Sequence, residues 1–228
     1  MSDALGAGIL IWNNKFMTRF RSDTFLPKPS RNNFTVAQSS RIINGGIATI
    51  ALSPKTYNGE RFLFYRPLAS RDLNFVSTEA LDNSIRTGRS IKPMQNIDVL
   101  SSQAVGQVFS SSGILFLGLT KDLAIACYNM FKPLTKQNIV SYALKFSSHK
   151  NYNFKQFFLK EIVAQDYDRL QCVGGLKIMD FAGEEELWIR TNRFTAFTTG
   201  NINFHDYNYF VLKIAVSKLI QGTGCQFN

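Results

Sequence analysis

Short stretches of apolar residues recur along the chain, and turn-forming residues separate them. Clear examples run over 34–38, 47–52 and 61–65, with Asn44-Gly45-Gly46 and Asn58-Gly59 between them. Segments of five or six residues bounded by Gly, Asn and Pro are typical of strands joined by tight turns. This spacing predicts a mainly β protein with a few short helices, arranged as an antiparallel β-sandwich or barrel, and a jelly-roll form fits the same pattern.

Two helices are predicted within this β-rich pattern. Ser77 can cap a helix over 77–87 that Gly88 ends. A second helix is predicted over 122–131, after an apolar strand at 114–119 and before Pro133. Further strands are predicted at 138–147, 176–181, 187–191, 194–199 and 209–216.

The first residues differ in character from the rest of the chain. Pro27 and Pro29 flank Lys28, and prolines at alternate positions disfavour a helix in this segment. Cations and aromatic rings also interleave in this region. We therefore predict an extended, basic and aromatic N-terminal arm over 1–32, followed by a single β-rich domain over 33–228.

Positive charge is concentrated in the first 160 residues. They contain 20 Lys and Arg against 8 Asp and Glu, whereas residues 161–228 contain 6 against 8. A one-sided cationic surplus is what phosphate neutralisation requires, so RNA or single-stranded DNA is the predicted partner, with ordinary solvated surface charge as the alternative. The predicted nucleic-acid contacts are Lys15, Arg19, Arg21, Lys28, Arg31, Arg86, Arg89, Lys92, Lys150, Lys155 and Lys160.

The segment 149–160 has two interpretations. Its lysines interleave with Tyr and Phe, a pattern suited to stacking on bases beside neutralised phosphates. However, Phe154, Phe157 and Phe158 also fall at helical spacing, which indicates an amphipathic helix with its rings in the core. The sequence favours core packing for the rings and leaves the lysines available in either case.

Three functions follow from these observations. The first is a self-associating, nucleic-acid-binding assembly protein of viral coat, nucleocapsid or transport type. The second is an RNA-contacting subunit of a larger ribonucleoprotein particle. The third is an enzyme that uses Asp166 and Asp168 on a phosphorylated or nucleic-acid substrate. The familiar catalytic motifs are absent from the sequence, and we expect no catalytic residue at His149 or His205, no metal and no cofactor.

The cysteines and the lack of a recognisable signal segment predict an intracellular, reducing location, cytoplasmic or virion-associated. Cys127, Cys172 and Cys225 are odd in number and widely spaced, which argues against a disulfide framework. Asn33-Phe34-Thr35 matches a glycosylation sequon, and without a secretion signal it is interpreted as a chance match. The apolar stretch 113–131 contains Lys121-Asp122, so no membrane span is expected.

Overall fold

A computed structural model describes residues 1–12, 15, 17–89, 92–93, 98–132 and 162–227. These residues form antiparallel sheets joined by turns and short helices, which confirms the mainly β prediction. The first two sheets comprise β1 (Ser2–Asp3), β2 (Gly8–Trp12) and β3 (Met17–Arg21), then the hairpin β4 (Asn33–Val36) and β5 (Ser39–Ile42). The third sheet comprises β6 (Ile47–Leu52), β7 (Phe62–Pro67) and β8 (Asn74–Ser77).

The remaining two sheets follow the same up-and-down order. The fourth comprises β9 (Ala104–Phe109), β10 (Ile114–Leu119), β11 (Ala124–Asn129) and β12 (Ile162–Gln165). The fifth comprises β13 (Cys172–Phe181), β14 (Glu184–Asn192) and β15 (Tyr209–Ala215). Strand β9 lies against both β6 and β13, so the first strands of three successive sheets are neighbours, consistent with a sandwich or propeller-like fold.

The helix predicted after residue 77 is confirmed as α1 (Thr78–Thr87). The Ser77 hydroxyl accepts a hydrogen bond from the Ala80 N–H at 3.1 Å, as an N-cap does. Gly88 has φ 68°, a left-handed conformation that glycine adopts without steric cost, and it ends the helix. Local sequence therefore determines both ends of this element.

The helix predicted over 122–131 is wrong, because this region forms strand β11. Its residues pair in register with β10, from Ile114 with Asn129 to Leu119 with Ala124. All residues of both strands are buried. A continuous apolar run of six residues suits a strand covered on both faces as well as a helix, and the pairing with β10 decides between them.

Strand β10 separates two parts of the hydrophobic core. Leu115, Leu117 and Leu119 lie in a cluster with Phe64 and Tyr128, on the side of β6 to β8. Ile114 and Phe116 point into a second cluster. That second cluster includes Cys127, Val173, Leu187, Ile189 and Leu219. The fully apolar sequence of β10 is thus explained by burial on both faces.

The N-terminal residues differ from the extended arm predicted over 1–32. They contain the first sheet, and Ile9, Phe20 and Phe25 are buried in a cluster with Ile47 and Tyr65. The prolines constrain only the few residues around them, so they do not prevent sheet formation upstream. The division into an arm and a domain stays a prediction, although the rings of this segment belong to the core.

Predicted strand 138–147 and segment 149–160 lie outside the described residues. Among the residues described, no helix has the length and apolar composition needed to cross a bilayer.

Candidate functional site

Three of the predicted nucleic-acid contacts form ion pairs within the chain. Arg19 lies 2.6 Å from an Asp3 oxygen, Arg31 lies 2.7 Å from an Asp98 oxygen, and Lys28 pairs with Asp72. Arg86 donates a hydrogen bond to Asn83. Four more of the predicted contacts are exposed: Lys15, Arg21, Arg89 and Lys92. The last three, Lys150, Lys155 and Lys160, fall outside the described residues. Part of the cationic surplus is therefore used to hold the N-terminal segments onto the fold.

The predicted acidic pair is engaged in local contacts. The Asp166 carboxylate accepts hydrogen bonds from the backbone N–H and the guanidinium of Arg169 and from the backbone N–H of Asp168. These hydrogen bonds, the Arg169 backbone bond above all, lower the pKa of Asp166. Asp168 instead pairs with Arg193. Within the described ranges, no three His, Cys, Asp or Glu side chains lie close enough to hold a metal ion. Asp166 therefore stabilises the turn that follows it, and Asp168 forms an ion pair with Arg193.

Cys127 and Cys225 form a disulfide, contrary to the sequence-based expectation. The bond joins β11 to the segment after α3 (Val216–Ile220), and both residues are buried. Because 98 residues separate the two cysteines, their pairing depends on tertiary structure and leaves no short spacing pattern in the sequence.

The third cysteine explains the odd count. Cys172 is buried at the start of β13 and has no disulfide partner. Burial raises the pKa of its thiol to about 11, so the thiolate that reacts with disulfides is scarce at neutral pH. One disulfide and one inert thiol can therefore coexist.

The candidate functional site is a cavity of about 510 Å³ at the end of β14, which we call the aromatic pocket. Its walls are Asn192, Arg193, Phe194, Phe197, Ile202, Phe204, Asn208 and Tyr209. Several rings are largely exposed, with Phe197 at 59%, Phe204 at 77% and Tyr209 at 73%. Clustered exposed rings around a concave surface mark a binding site more often than a packing defect.

The pocket depends on a short helix in a region, 194–199, for which the sequence predicts a strand. Residues Phe194–Thr198 form α2. Helical spacing places Phe194 and Phe197 on one side, whereas a strand would place them on opposite faces. The switch from strand to helix is what brings the rings together.

Arg193 holds the loop that carries the other rings. Its guanidinium pairs with Asp168, lies 3.4 Å from Asp206 and donates to the Tyr207 carbonyl at 3.2 Å. Its backbone N–H donates to the Asn208 carbonyl at 3.2 Å. One side chain therefore links three parts of the chain around the pocket, so the cavity is formed before any ligand arrives.

Asn208 supplies a polar group to the apolar wall. Its side-chain NH₂ donates to the carbonyls of Asn203 at 2.9 Å and Asp206 at 3.0 Å, which fixes the orientation of the amide. The Oδ1 atom is buried and has no hydrogen-bond partner among the described residues. A buried acceptor without a donor is costly, so a ligand donor at this position would be favoured.

None of the residues predicted as functional from the sequence lies in this pocket wall. The only signal is the density of aromatic and amide side chains between Asn192 and Tyr209. Such a stretch has no fixed motif, and the contacts of Arg193 with Asp168 cross 25 residues. His205 lies in the same loop and is exposed, whereas His149 is outside the described residues.

Replacing Arg193 by alanine is expected to lower the free energy of unfolding by about 1–2 kcal/mol, because its ion pairs and hydrogen bonds are lost. The loss is no larger because both carboxylate partners are largely exposed. Hydrogen exchange of the amides over 194–208 should accelerate in the same variant. Lys213→Ala, which removes the ion pair with Glu186 and the contact with the Trp188 ring, is the control and should leave exchange over 194–208 unchanged. Equal exchange in the two variants would contradict the assigned role of Arg193.

Comparison with known proteins gives one consistent result. A family model described as "Major royal jelly protein" matches residues 1–148 and 144–225. The chain is 30% identical to major royal jelly protein 9 of Apis mellifera over 236 residues, covering 99% of the chain and 50% of that protein. Identity to major royal jelly protein 3 of the same species is 30% over 237 residues, with 99% and 39% covered. The chain thus spans about half the length, or less, of these relatives.

These similarities contradict the predicted nucleic-acid function. The match extends over nearly the whole chain and is to royal jelly proteins, not to viral coat, nucleocapsid, transport or ribonucleoprotein subunits. The prediction of RNA or single-stranded DNA as the partner is therefore wrong. The error arose because a count of cations does not reveal their partners in the fold, such as Asp98 for Arg31.

Proposed function

The chain belongs to the major royal jelly protein family, and from that premise we propose that it is an extracellular ligand-binding protein whose aromatic pocket takes up a small apolar molecule. The observation that carries this proposal is the group of exposed rings around a cavity of about 510 Å³. This size lies within the range of about 300–1,000 Å³ that is usual for small-molecule sites.

The Cys127–Cys225 disulfide supports the extracellular part of the proposal. Disulfides persist in oxidising compartments and are rare where glutathione keeps thiols reduced. The bond is buried between β11 and the C-terminal segment, so it is protected from reductants in the folded state. We therefore propose an oxidising, extracellular location, whereas the sequence alone predicted a reducing one.

The chemistry of the pocket defines the ligand class. The rings of Phe194, Phe197 and Phe204 offer apolar faces, and Asn208 Oδ1 offers one acceptor. The charged group of the described wall, Arg193, is already paired with Asp168 and Asp206. We therefore expect a neutral molecule with an apolar body and one N–H or O–H donor.

N-phenyl-1-naphthylamine is a suitable probe, because it is neutral, fluoresces in apolar surroundings and carries one N–H donor. We expect saturable binding that weakens about 5- to 30-fold in Phe197→Ala and in Phe204→Ala, since each removes about 1–2 kcal/mol of apolar contact. The measurement is a fluorescence titration at fixed protein concentration.

Two controls separate this site from general stickiness. Tyr57→Ala removes a fully exposed ring that is not part of the pocket wall and should leave the affinity unchanged. The N-methyl derivative of the probe, which lacks the donor, should bind about 5- to 10-fold more weakly to the unaltered protein. Equal affinities for all three ring variants would exclude the aromatic pocket as the site.

A further inference from the structure

We propose that Asn33 carries an N-linked glycan and that the first sugar of this glycan lies in the polar cavity beside β4. This inference rests on the extracellular location proposed above, and it does not depend on the aromatic pocket. Asn33-Phe34-Thr35 has the required Asn-x-Thr pattern, which is an acceptor for glycans only in proteins that enter the secretory route.

The position of Asn33 in the fold suits modification. The residue is exposed at the start of β4, and among the described strands β4 pairs only with β5. None of the described residues forms a hydrogen bond with its side-chain amide, whereas its backbone carbonyl accepts from Gln103 Nε2 at 3.0 Å. Attachment of a sugar at the amide nitrogen therefore breaks no contact of the fold.

A cavity of about 540 Å³ begins at Asn33 itself. Every described residue that lines it is polar or charged. The wall consists of Ser30, Arg31, Asn33, Thr35, Arg71, Ser101, Ser102, Gln103, Lys121 and Asp122. Hydroxyl, amide and guanidinium groups at this density match the hydroxyl and acetamido groups of N-acetylglucosamine, the sugar that is linked to asparagine.

Arg71 gives this cavity an unused donor. Its Nε atom is buried and has no hydrogen-bond partner within the described part of the chain. Ser101 and Ser102, by contrast, already donate to Asp122 Oδ2 at 2.6 and 3.0 Å. A sugar oxygen that accepts from Arg71 would satisfy a buried group that is otherwise costly.

Secretion of the chain from mammalian cells, directed by a heterologous leader, tests this inference. We expect an intact mass above that of the polypeptide, which returns to the polypeptide mass after treatment with peptide N-glycosidase F. Asn33→Gln and Thr35→Ala should abolish the added mass. Thr35→Ser is the matched control, because it keeps the sequon and the hydroxyl that lies 2.9 Å from Ser40 Oγ.

A second sequon tests the place of the first sugar. Glu60→Thr creates an Asn-Gly-Thr sequon that begins at Asn58, in an exposed turn with open space around Gly59. Under native conditions the glycan at Asn33 should be removed at least about tenfold more slowly than the one at Asn58, because it must first leave the cavity. Equal rates would overturn the cavity placement.

The outcomes also separate this inference from the proposed location. A secreted chain with the Cys127–Cys225 bond intact but no glycan at Asn33 would overturn glycosylation and leave the location standing. A chain that reaches the medium only with both cysteines reduced would overturn the location, and with it this inference.

Discussion

Replacing Cys127 and Cys225 together by alanine is expected to lower the free energy of unfolding by about 3–5 kcal/mol. The bond closes a loop of 98 residues, and a loop of this length restricts the unfolded chain strongly. It also anchors the C-terminal segment, where Asn129 Nδ2 donates to the Cys225 carbonyl at 3.4 Å and Lys132 contacts Gly224. Urea unfolding of both proteins without reductant measures the difference.

Two controls define the origin of this loss. Cys172→Ala removes one buried sulfur atom and should cost less than about 1.5 kcal/mol, as the smallest truncations in a core do. Adding reductant to the unfolded protein should bring the unaltered chain to the stability of the double variant, which itself should not respond. Coincident unfolding curves for the unaltered chain and the double variant in the absence of reductant would show that the bond does not form.

Replacing Arg66 by methionine is expected to raise the free energy of unfolding at pH 7 by about 1–3 kcal/mol. Arg66 is fully buried, and the described residues provide it with no carboxylate. Its guanidinium donates at 3.3 Å to Thr49 Oγ1 and to the Gly106 carbonyl, while Nη1 has no partner among the described residues. A buried cation with so few contacts costs more than an apolar side chain of similar shape.

The pH dependence of this difference has a definite sign. Burial lowers the pKa of Arg66 to about 9 in the folded state, well below the value in the unfolded chain. Above pH 9 and below the pKa of the unfolded chain, the unfolded chain binds the proton more tightly than the folded chain does. The unaltered protein therefore gains stability as pH rises through this window and loses it as pH falls through 9. The advantage of Arg66→Met should therefore shrink by about 1 kcal/mol between pH 7 and pH 10.

Arg61→Met is the matched control, because Arg61 is exposed one residue before the same strand β7. It should change stability by less than about 0.5 kcal/mol at either pH. Both variants share the titration of all lysines and tyrosines, so the comparison isolates Arg66. A stability difference between the two variants that stays constant from pH 7 to pH 10 would contradict a buried, charged Arg66.

Elements set by local chemistry could be predicted from the sequence. Helix α1 has its cap at Ser77 and its stop at Gly88, and strands β6 and β10 were predicted with the bounds that the structure shows. The sequence predicts a helix at β11 because its apolar run fits a helix as well as a strand. Pairing with β10, which is a tertiary contact, decides in favour of the strand. At α2 the sequence predicts a strand where a helix forms, and there too the local pattern fits both.

The functional site could not be predicted, because its determinants are distant in sequence. Arg193 reaches Asp168 across 25 residues, and Cys127 reaches Cys225 across 98. The charge surplus was the strongest signal in the sequence, yet it was misleading. Arg31 is paired with Asp98 and Arg66 is buried, and neither fact is visible in a count of cations.

The most direct test of the account is a nuclear Overhauser measurement between bound N-phenyl-1-naphthylamine and protein with labelled phenylalanine rings. We predict cross-peaks from the naphthyl protons to Phe197 and Phe204, the most exposed phenylalanines of the aromatic pocket. The same cross-peaks should disappear in Phe197→Ala and Phe204→Ala, respectively. Contacts to rings elsewhere, such as Phe131 or Phe227, with none to the pocket, would contradict the proposed function.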